Sequence, residues 1–246
     1  MYGKFANVYD HMMNDIPYDK WYEKLLAYLQ EHGVKDGRIC DLGCGTGIMT
    51  EKFAGAGYEM IGLDNSLDML SLAKTKQEES GSSILYLHQD MQKMELDAPV
   101  DAFISVCDSV NYLLQEDEME SLFRCVKQYL KPNGYFVFDL KTVYCYRNVI
   151  GNQTWVEQDE EVSYIWENYF YEEQDINEYM LTVFRKQPQT DLYERFEEAH
   201  YQRAYSVDCL CRLLEQAGLT MVESFDEDMK SPVSANSERI YVVAKN

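Results

Sequence analysis

The sequence predicts an α/β protein, with one mostly parallel sheet, helices on both of its faces and an antiparallel layer inserted late in the chain. Three observations predict it. Between residues 38 and 140, short apolar runs alternate with stretches of helical period, the pattern of strands joined by crossover helices. A glycine-rich turn, Asp41-Leu-Gly43-Cys-Gly45-Thr-Gly47, follows the first apolar run and opens the first helical stretch. Beyond residue 151 the apolar period changes to two, as in Tyr164-Ile-Trp166 and Tyr179-Met-Leu-Thr-Val-Phe184.

In chain order, residues 18–32 read as a helix ahead of the sheet. Strands follow at 38–42, 59–63, 84–88, 102–106 and 135–140, with amphipathic helices at 48–56, 66–79 and 116–130 between them. Gly57, Gly81 and the Lys131-Pro-Asn-Gly134 turn end those helices with residues suited to chain reversal. Residues 151–205 read as about three antiparallel strands, apolar on one face and wet on the other. Ser206 is placed to cap a helix that closes at Gly218, and strands at 220–225 and 239–244 complete a seven-stranded sheet with an antiparallel pair. The expected organisation is one domain over residues 1–246. Residues 1–37 form an N-terminal cover and helix, 38–150 the ligand-binding core, 151–205 the inserted layer over the site, and 206–246 the return to the sheet.

Composition narrows the function. With 22 basic residues against 43 acidic ones, the formal charge is −21 and no basic run interrupts the acidity. Nucleic-acid binding draws on counter-ion release at clustered Lys and Arg, so a polynucleotide substrate is not expected. No apolar run has the length of a membrane span, and MYGKFANVYD has neither the basic start nor the apolar stretch of a secretory signal; a cytoplasmic protein is expected. The seven cysteines contain no Cys-x-x-Cys pair, so neither a disulfide framework nor a metal site is expected.

The chemistry concentrates after the strands. The glycine turn has Ile48 where a dinucleotide fingerprint needs a third spaced glycine, and it has no Gly-Lys-Ser/Thr of a phosphate loop. Asp41, two residues before the first glycine, suits a cationic amino-acid moiety better than a pyrophosphate. Asp64 ends the next strand, 21 residues beyond Gly43, where a carboxylate accepts from both hydroxyls of a ribose. Asp90 follows the third strand, in position for an adenine amino group, with Met69 and Met91 placed to sandwich the purine.

On these residues the chain resembles the class I S-adenosylmethionine-dependent methyltransferases. Asp41 to Gly47 looks like their first motif, Asp64-Asn-Ser-Leu-Asp-Met69 their ribose motif and Asp90-Met91 their adenine motif. Val106-Cys-Asp108-Ser-Val-Asn-Tyr112-Leu looks like the end of their fourth strand. Phe5-Ala-x-Val-Tyr9-Asp, Tyr18-Asp-x-Trp21, Cys-Asp-Ser-Val-Asn-Tyr-Leu and Ser237-Glu-Arg-Ile240 bring it nearest to the bacterial YqeM-type methyltransferases, with sugar-amine N-methyltransferases and glycine N-methyltransferase as further relatives. The resemblance implies a Rossmann-like fold, S-adenosylmethionine as cofactor and S-adenosylhomocysteine as product. It also implies a lid formed by the N-terminal segment. Cofactor contacts are expected from Tyr9, Tyr18, Trp21, Asp41, Gly43, Cys44, Gly45, Asp64, Asn65, Met69, Asp90, Met91, Cys107 and Asp108.

Methyl transfer from a sulfonium needs alignment, exclusion of water and, for a protonated nucleophile, a base. Candidate catalytic residues are His200, Tyr112 and Tyr9. His200 is the candidate base, with an ionisation expected near neutral pH. Tyr112 stands where many relatives carry His, and it is expected to wall the site or donate a hydrogen bond. Residues 151–205 hold 12 aromatics and 13 acids against four basic residues, so aromatic faces beside carboxylates point to an amine-bearing small-molecule acceptor, methylated at nitrogen or oxygen. The alternatives are a methyltransferase acting on protein or RNA, and a regulatory domain that binds the cofactor without turnover. Sequence leaves the oligomeric state open.

Overall fold

A computed structural model describes residues 5–14 and 16–246. Residues 1–4 and 15, part of the expected N-terminal cover, lie outside the described residues. The first sheet contains β1 (Arg38–Leu42), β2 (Glu59–Asp64), β3 (Ile84–His88), β4 (Val100–Ser105), β5 (Leu130–Lys141), β10 (Thr220–Asp226) and β11 (Arg239–Lys245). The second contains β6 (Thr154–Gln158), β7 (Val162–Tyr171), β8 (Ile176–Lys186) and β9 (Tyr193–Arg203). The helices are α1 (Ala6–Met12), α2 (Tyr18–Glu31), α3 (Ile48–Gly55), α4 (Leu67–Ser80), α5 (Glu116–Tyr129) and α6 (Val207–Gln216).

The first sheet runs β10-β11-β5-β4-β1-β2-β3, parallel except for β11, which is antiparallel to both of its neighbours. Strand residues alternate between its faces, so each strand feeds two cores. Phe136, Phe138 and Leu140 of β5 join Met119, Leu122 and Phe123 of α5 and Leu210, Leu213 and Leu214 of α6 on one face. Tyr135 and Val137 join Trp21, Leu25 and Leu29 of α2, Met49 and Phe53 of α3, and Leu70 and Ala73 of α4 on the other. Burial on both faces explains why these strands read as apolar runs without alternation. Phe136 and Phe138 are fully buried and stack at 4.6 Å, so truncating either to Ala costs about 3–5 kcal/mol.

The chain winds outward from β1 through β2 to β3, then returns to the far side of β1 with β4. Strand order therefore reverses between β1 and β4, and the crevice beyond their carboxyl ends is where an open α/β sheet binds its ligand.

The second sheet is antiparallel in the order β6-β7-β8-β9, with four strands where the period suggested three. The extra strand, β6, is short and mostly exposed, so it carries little periodic signal. Its neighbours alternate as expected: β8 buries Asn177, Tyr179, Leu181 and Val183 in every second place. Against this sheet packs α1, with Phe5 and Val8 buried among Val162, Leu181 and Val183.

Candidate active site

The turn after β1 is shaped by its glycines. Gly43 has φ +68 and a Cβ there would lie 2.7 Å from Ser109, while Gly47 has φ +79 and a Cβ there would lie 2.4 Å from the Tyr86 hydroxyl. Gly45, at φ +54, differs: a Cβ meets no protein atom within 4 Å, because the residue faces open space. Gly43 and Gly47 make the turn close, and Gly45 leaves room above it.

Asp64, at the end of β2, fixes this loop. Its Oδ2 accepts from the Gly45 amide at 2.8 Å and its Oδ1 from the Ser66 amide at 2.8 Å. A carboxylate has about four lone-pair positions, so two remain for vicinal hydroxyls. Burial raises the Asp64 carboxyl pKa, and these backbone donors oppose it. Asp41 is buried, accepts from the Thr50 hydroxyl at 2.6 Å, and is pushed up to about 7 by burial, with Thr50 opposing. A charge held there at a cost is one that a ligand cation would relieve.

After β4 the backbone takes two consecutive left-handed residues, Cys107 at φ 63 and Asp108 at φ 54. Such strain persists where the surroundings enforce it. The Asp108 amide donates to Asp139 Oδ1 at 2.8 Å, and the Ser109 hydroxyl donates to the carbonyls of Val106 and Gly43 at 3.0 and 3.2 Å. The turn thus ties β4 to the glycine loop. It also delivers Asp108 into a buried charge cluster. Asp108 receives Arg239 at 2.8 Å, Lys141 at 3.1 Å and the Gln202 amide at 2.7 Å, while Arg239 also pairs with the fully buried Asp139. Burial pushes the Asp108 carboxyl up, but Lys141 and Arg239 outweigh it and hold the group below the ordinary carboxylate range. Removing one partner would strand a buried charge, at a cost of about 3–5 kcal/mol.

These features border one cavity of about 480 Å³, a size suited to a small ligand. Among the expected residues it is lined by Tyr9, Gly43, Gly45, Asp64, Asn65, Met69, Asp90, Met91, Cys107, Asp108, Tyr112 and His200. Asp41, Cys44 and Tyr18 line a small adjoining recess together with Gly43, Gly45 and Cys107. Tyr9 and Tyr18 each bring a hydroxyl to 3.9 Å from the Cys107 sulfur. Trp21 lines neither space. It is buried, with the Arg239 guanidinium 4.8 Å over its ring, so it backs the charge cluster and does not face a ligand.

At the far end, His200 of β9 is buried beside Phe5, and its Nδ1 is 3.4 Å from the Tyr112 hydroxyl. Burial pushes the imidazole down to about 4, so it is neutral at physiological pH and the ionisation expected near neutrality is displaced to acid. Burial likewise pushes the Cys107 thiol up to about 11, so it is not a nucleophile at neutral pH.

The second sheet contributes Tyr164, Trp166, Tyr179, Leu181, His200, Tyr201 and Gln202 to the cavity and no carboxylate. The acids of residues 151–205, read from the sequence as partners for an amine, do not line the cavity. Lys141 and Gln202 escaped the sequence reading, Trp166 and Tyr179 appeared only as markers of the period of two, and Arg239 only within the Ser-Glu-Arg-Ile string. Lys141 and Arg239 meet because β5 and β11 pair them directly in register, which no local motif encodes.

Comparison with known proteins agrees with this geometry. Residues 39–134 match the family described as a methyltransferase domain. The chain is 34% identical to YqeM of Bacillus subtilis (strain 168), a methyltransferase by name, over 100% of this chain and 97% of that protein. It is also 34% identical to a protein similarly named from Geobacillus sp. (strain WCH70), over 99% of both chains. The crystal structure of a S-adenosylmethionine-dependent methyltransferase from Clostridium acetobutylicum ATCC 824 superposes with a TM-score of 0.88 at 30% identity, covering 99% of this chain and 98% of that one. A Rossmann-like sheet, an acid-tipped second strand beside a glycine turn and full-length similarity converge: the chain belongs to the YqeM-type family of S-adenosylmethionine-dependent methyltransferases.

Proposed function

We propose that the chain transfers a methyl group from S-adenosylmethionine to a small-molecule acceptor, at nitrogen or oxygen, in the cytoplasm. The observation that carries this reading is the cavity of about 480 Å³, which joins the Asp64 and Asp90 end to the Tyr112 and His200 end beneath α1 and the second sheet. The charge of −21 speaks against RNA. Names among more distant relatives include an amino-sugar N,N-dimethyltransferase and ubiquinone biosynthesis O-methyltransferases, in keeping with small acceptors at either atom.

In this reading Asp64 takes the ribose hydroxyls, Asp90 the adenine amino group, Met69 and Met91 the purine faces, and Asp41 the amino-acid cation. The cofactor supplies an electrophilic methyl on a sulfonium, whose departure leaves a neutral thioether. The protein's own work is alignment and exclusion of water. Tyr9 and Tyr112 border the space beside Cys107, and α1 with the second sheet covers it. His200 is neutral and its imidazole is placed to accept a hydrogen bond from a nitrogen or hydroxyl nucleophile, with the Tyr112 hydroxyl orienting its ring; because burial disfavours the charged ring, its work is alignment of the nucleophile.

A panel of amine- and hydroxyl-bearing metabolites tests the reading through production of S-adenosylhomocysteine. Acceptor-dependent product is expected, and His200→Asn should slow it roughly tenfold or more at unchanged cofactor affinity. Methylation of a polypeptide or RNA with none of the small molecules would overturn it.

A further inference from the structure

Building on the methyltransferase reading, we infer that the acceptor is an anion, a small molecule with a flat apolar body whose carboxylate pairs with Lys141. Hydrogen-bonding capacity at the acceptor end of the cavity favours a carboxylate. Asp108, the carboxylate there, is already occupied by Arg239 at 2.8 Å, Lys141 at 3.1 Å and Gln202 at 2.7 Å. Three donors leave Asp108 one of its about four lone-pair positions, so an incoming ammonium finds little acceptor capacity, and Lys141 and Arg239 are already balanced by Asp108 and Asp139. Donor capacity is in surplus. An ammonium carries three N–H groups, and Lys141 spends two of them on Asp108 and on the Tyr179 hydroxyl at 3.4 Å. The indole N–H of Trp166, on the same cavity wall, is buried with no acceptor among the described residues.

A buried donor without a partner costs free energy that a bound carboxylate would recover. The aromatic rings of Trp166 and Tyr179 give a flat body its contact surface. The overall negative charge does not oppose this, because exposed charges are screened within about 8 Å at physiological salt, whereas the Lys141 ammonium is largely buried.

The probes are benzoate, benzylamine and benzyl alcohol, titrated by saturation-transfer NMR into protein saturated with S-adenosylhomocysteine. Affinity for S-adenosylhomocysteine is measured first by calorimetry; its absence would be a failure of the methyltransferase reading and not of this one. Benzoate should bind roughly tenfold or more tighter than either other probe. Lys141→Met should erase that preference without changing S-adenosylhomocysteine affinity, and Lys141→Arg should retain it. Trp166→Phe, which keeps the ring and removes the donor, should weaken benzoate alone, so the test survives if Lys141→Met fails to fold. Benzylamine binding as well as benzoate, no benzoate binding, or an unaltered preference in Lys141→Met would each overturn the inference. So would a tenfold loss of S-adenosylhomocysteine affinity in Lys141→Met, since the ammonium would then serve the cofactor's own carboxylate.

Discussion

At the scale of single residues, the glycine turn and Asp41 separate the demands of folding from those of binding. Gly43 and Gly47 have neighbours that a Cβ would strike, whereas Gly45 opens on the cavity. Gly45→Val should therefore leave a folded protein, weakened by roughly 1–2 kcal/mol for a left-handed β-branched residue, that no longer binds S-adenosylhomocysteine. Gly43→Val should lose stability as well as binding. Denaturant titration beside calorimetry checks both, and unchanged affinity in Gly45→Val would remove the loop from the cofactor site. Asp41 carries a pH signature. Its carboxyl is raised to about 7 in the fold, so the folded chain holds a proton that the unfolded chain releases near 4. Stability contributed by that proton is full below the unfolded value and is lost as pH rises toward 7. Asp41→Asn, which still accepts from Thr50, should raise the melting temperature at pH 8 more than at pH 5. Equal or reversed gains would show that burial does not govern the group.

At the scale of elements, α1 joins the two sheets. Asp10 accepts from the Thr46 hydroxyl at 2.6 Å in the glycine turn and pairs with Lys76 at 2.6 Å, while His11 pairs with Asp159 beside β7. The His11–Asp159 pair is exposed and the Asp10–Lys76 pair half-exposed, so these contribute little to stability and breaking them should show mainly in ligand exchange. Asp10→Ala should speed S-adenosylhomocysteine release several-fold by stopped flow, with the melting temperature nearly unchanged. A large melting shift with unaltered release would make α1 a structural strut. This helix was not legible as one in the sequence, since seven residues without a side-chain cap give no periodic signal. The six-residue π turn at Cys145–Ile150 was equally silent. The doubly buried strands and the capped helix after Ser206 were legible because their apolar runs and cap follow from the fold's own requirements. The cofactor end was legible too, as its residues sit in short strings after strands. The acceptor end was not, because Lys141, Arg239, Gln202 and Trp166 come from four strands and converge only through pairing and packing.

At the scale of the whole molecule, strand order sets where chemistry occurs. Reversal between β1 and β4 opens the crevice, β5 and β11 carry the charge cluster to its edge, and residues 5–14 with the second sheet cover it. We propose that this crevice holds S-adenosylmethionine through the acid at the end of β2. Calorimetric titration of the full chain with S-adenosylhomocysteine, repeated with Asp64→Ala and with NAD as the competing nucleotide, tests it most directly. One saturable site for S-adenosylhomocysteine is expected, with an affinity at least roughly tenfold weaker in Asp64→Ala as the ribose acceptors are lost, and no heat with NAD. Binding of NAD in preference, or S-adenosylhomocysteine affinity indifferent to Asp64→Ala, would contradict it.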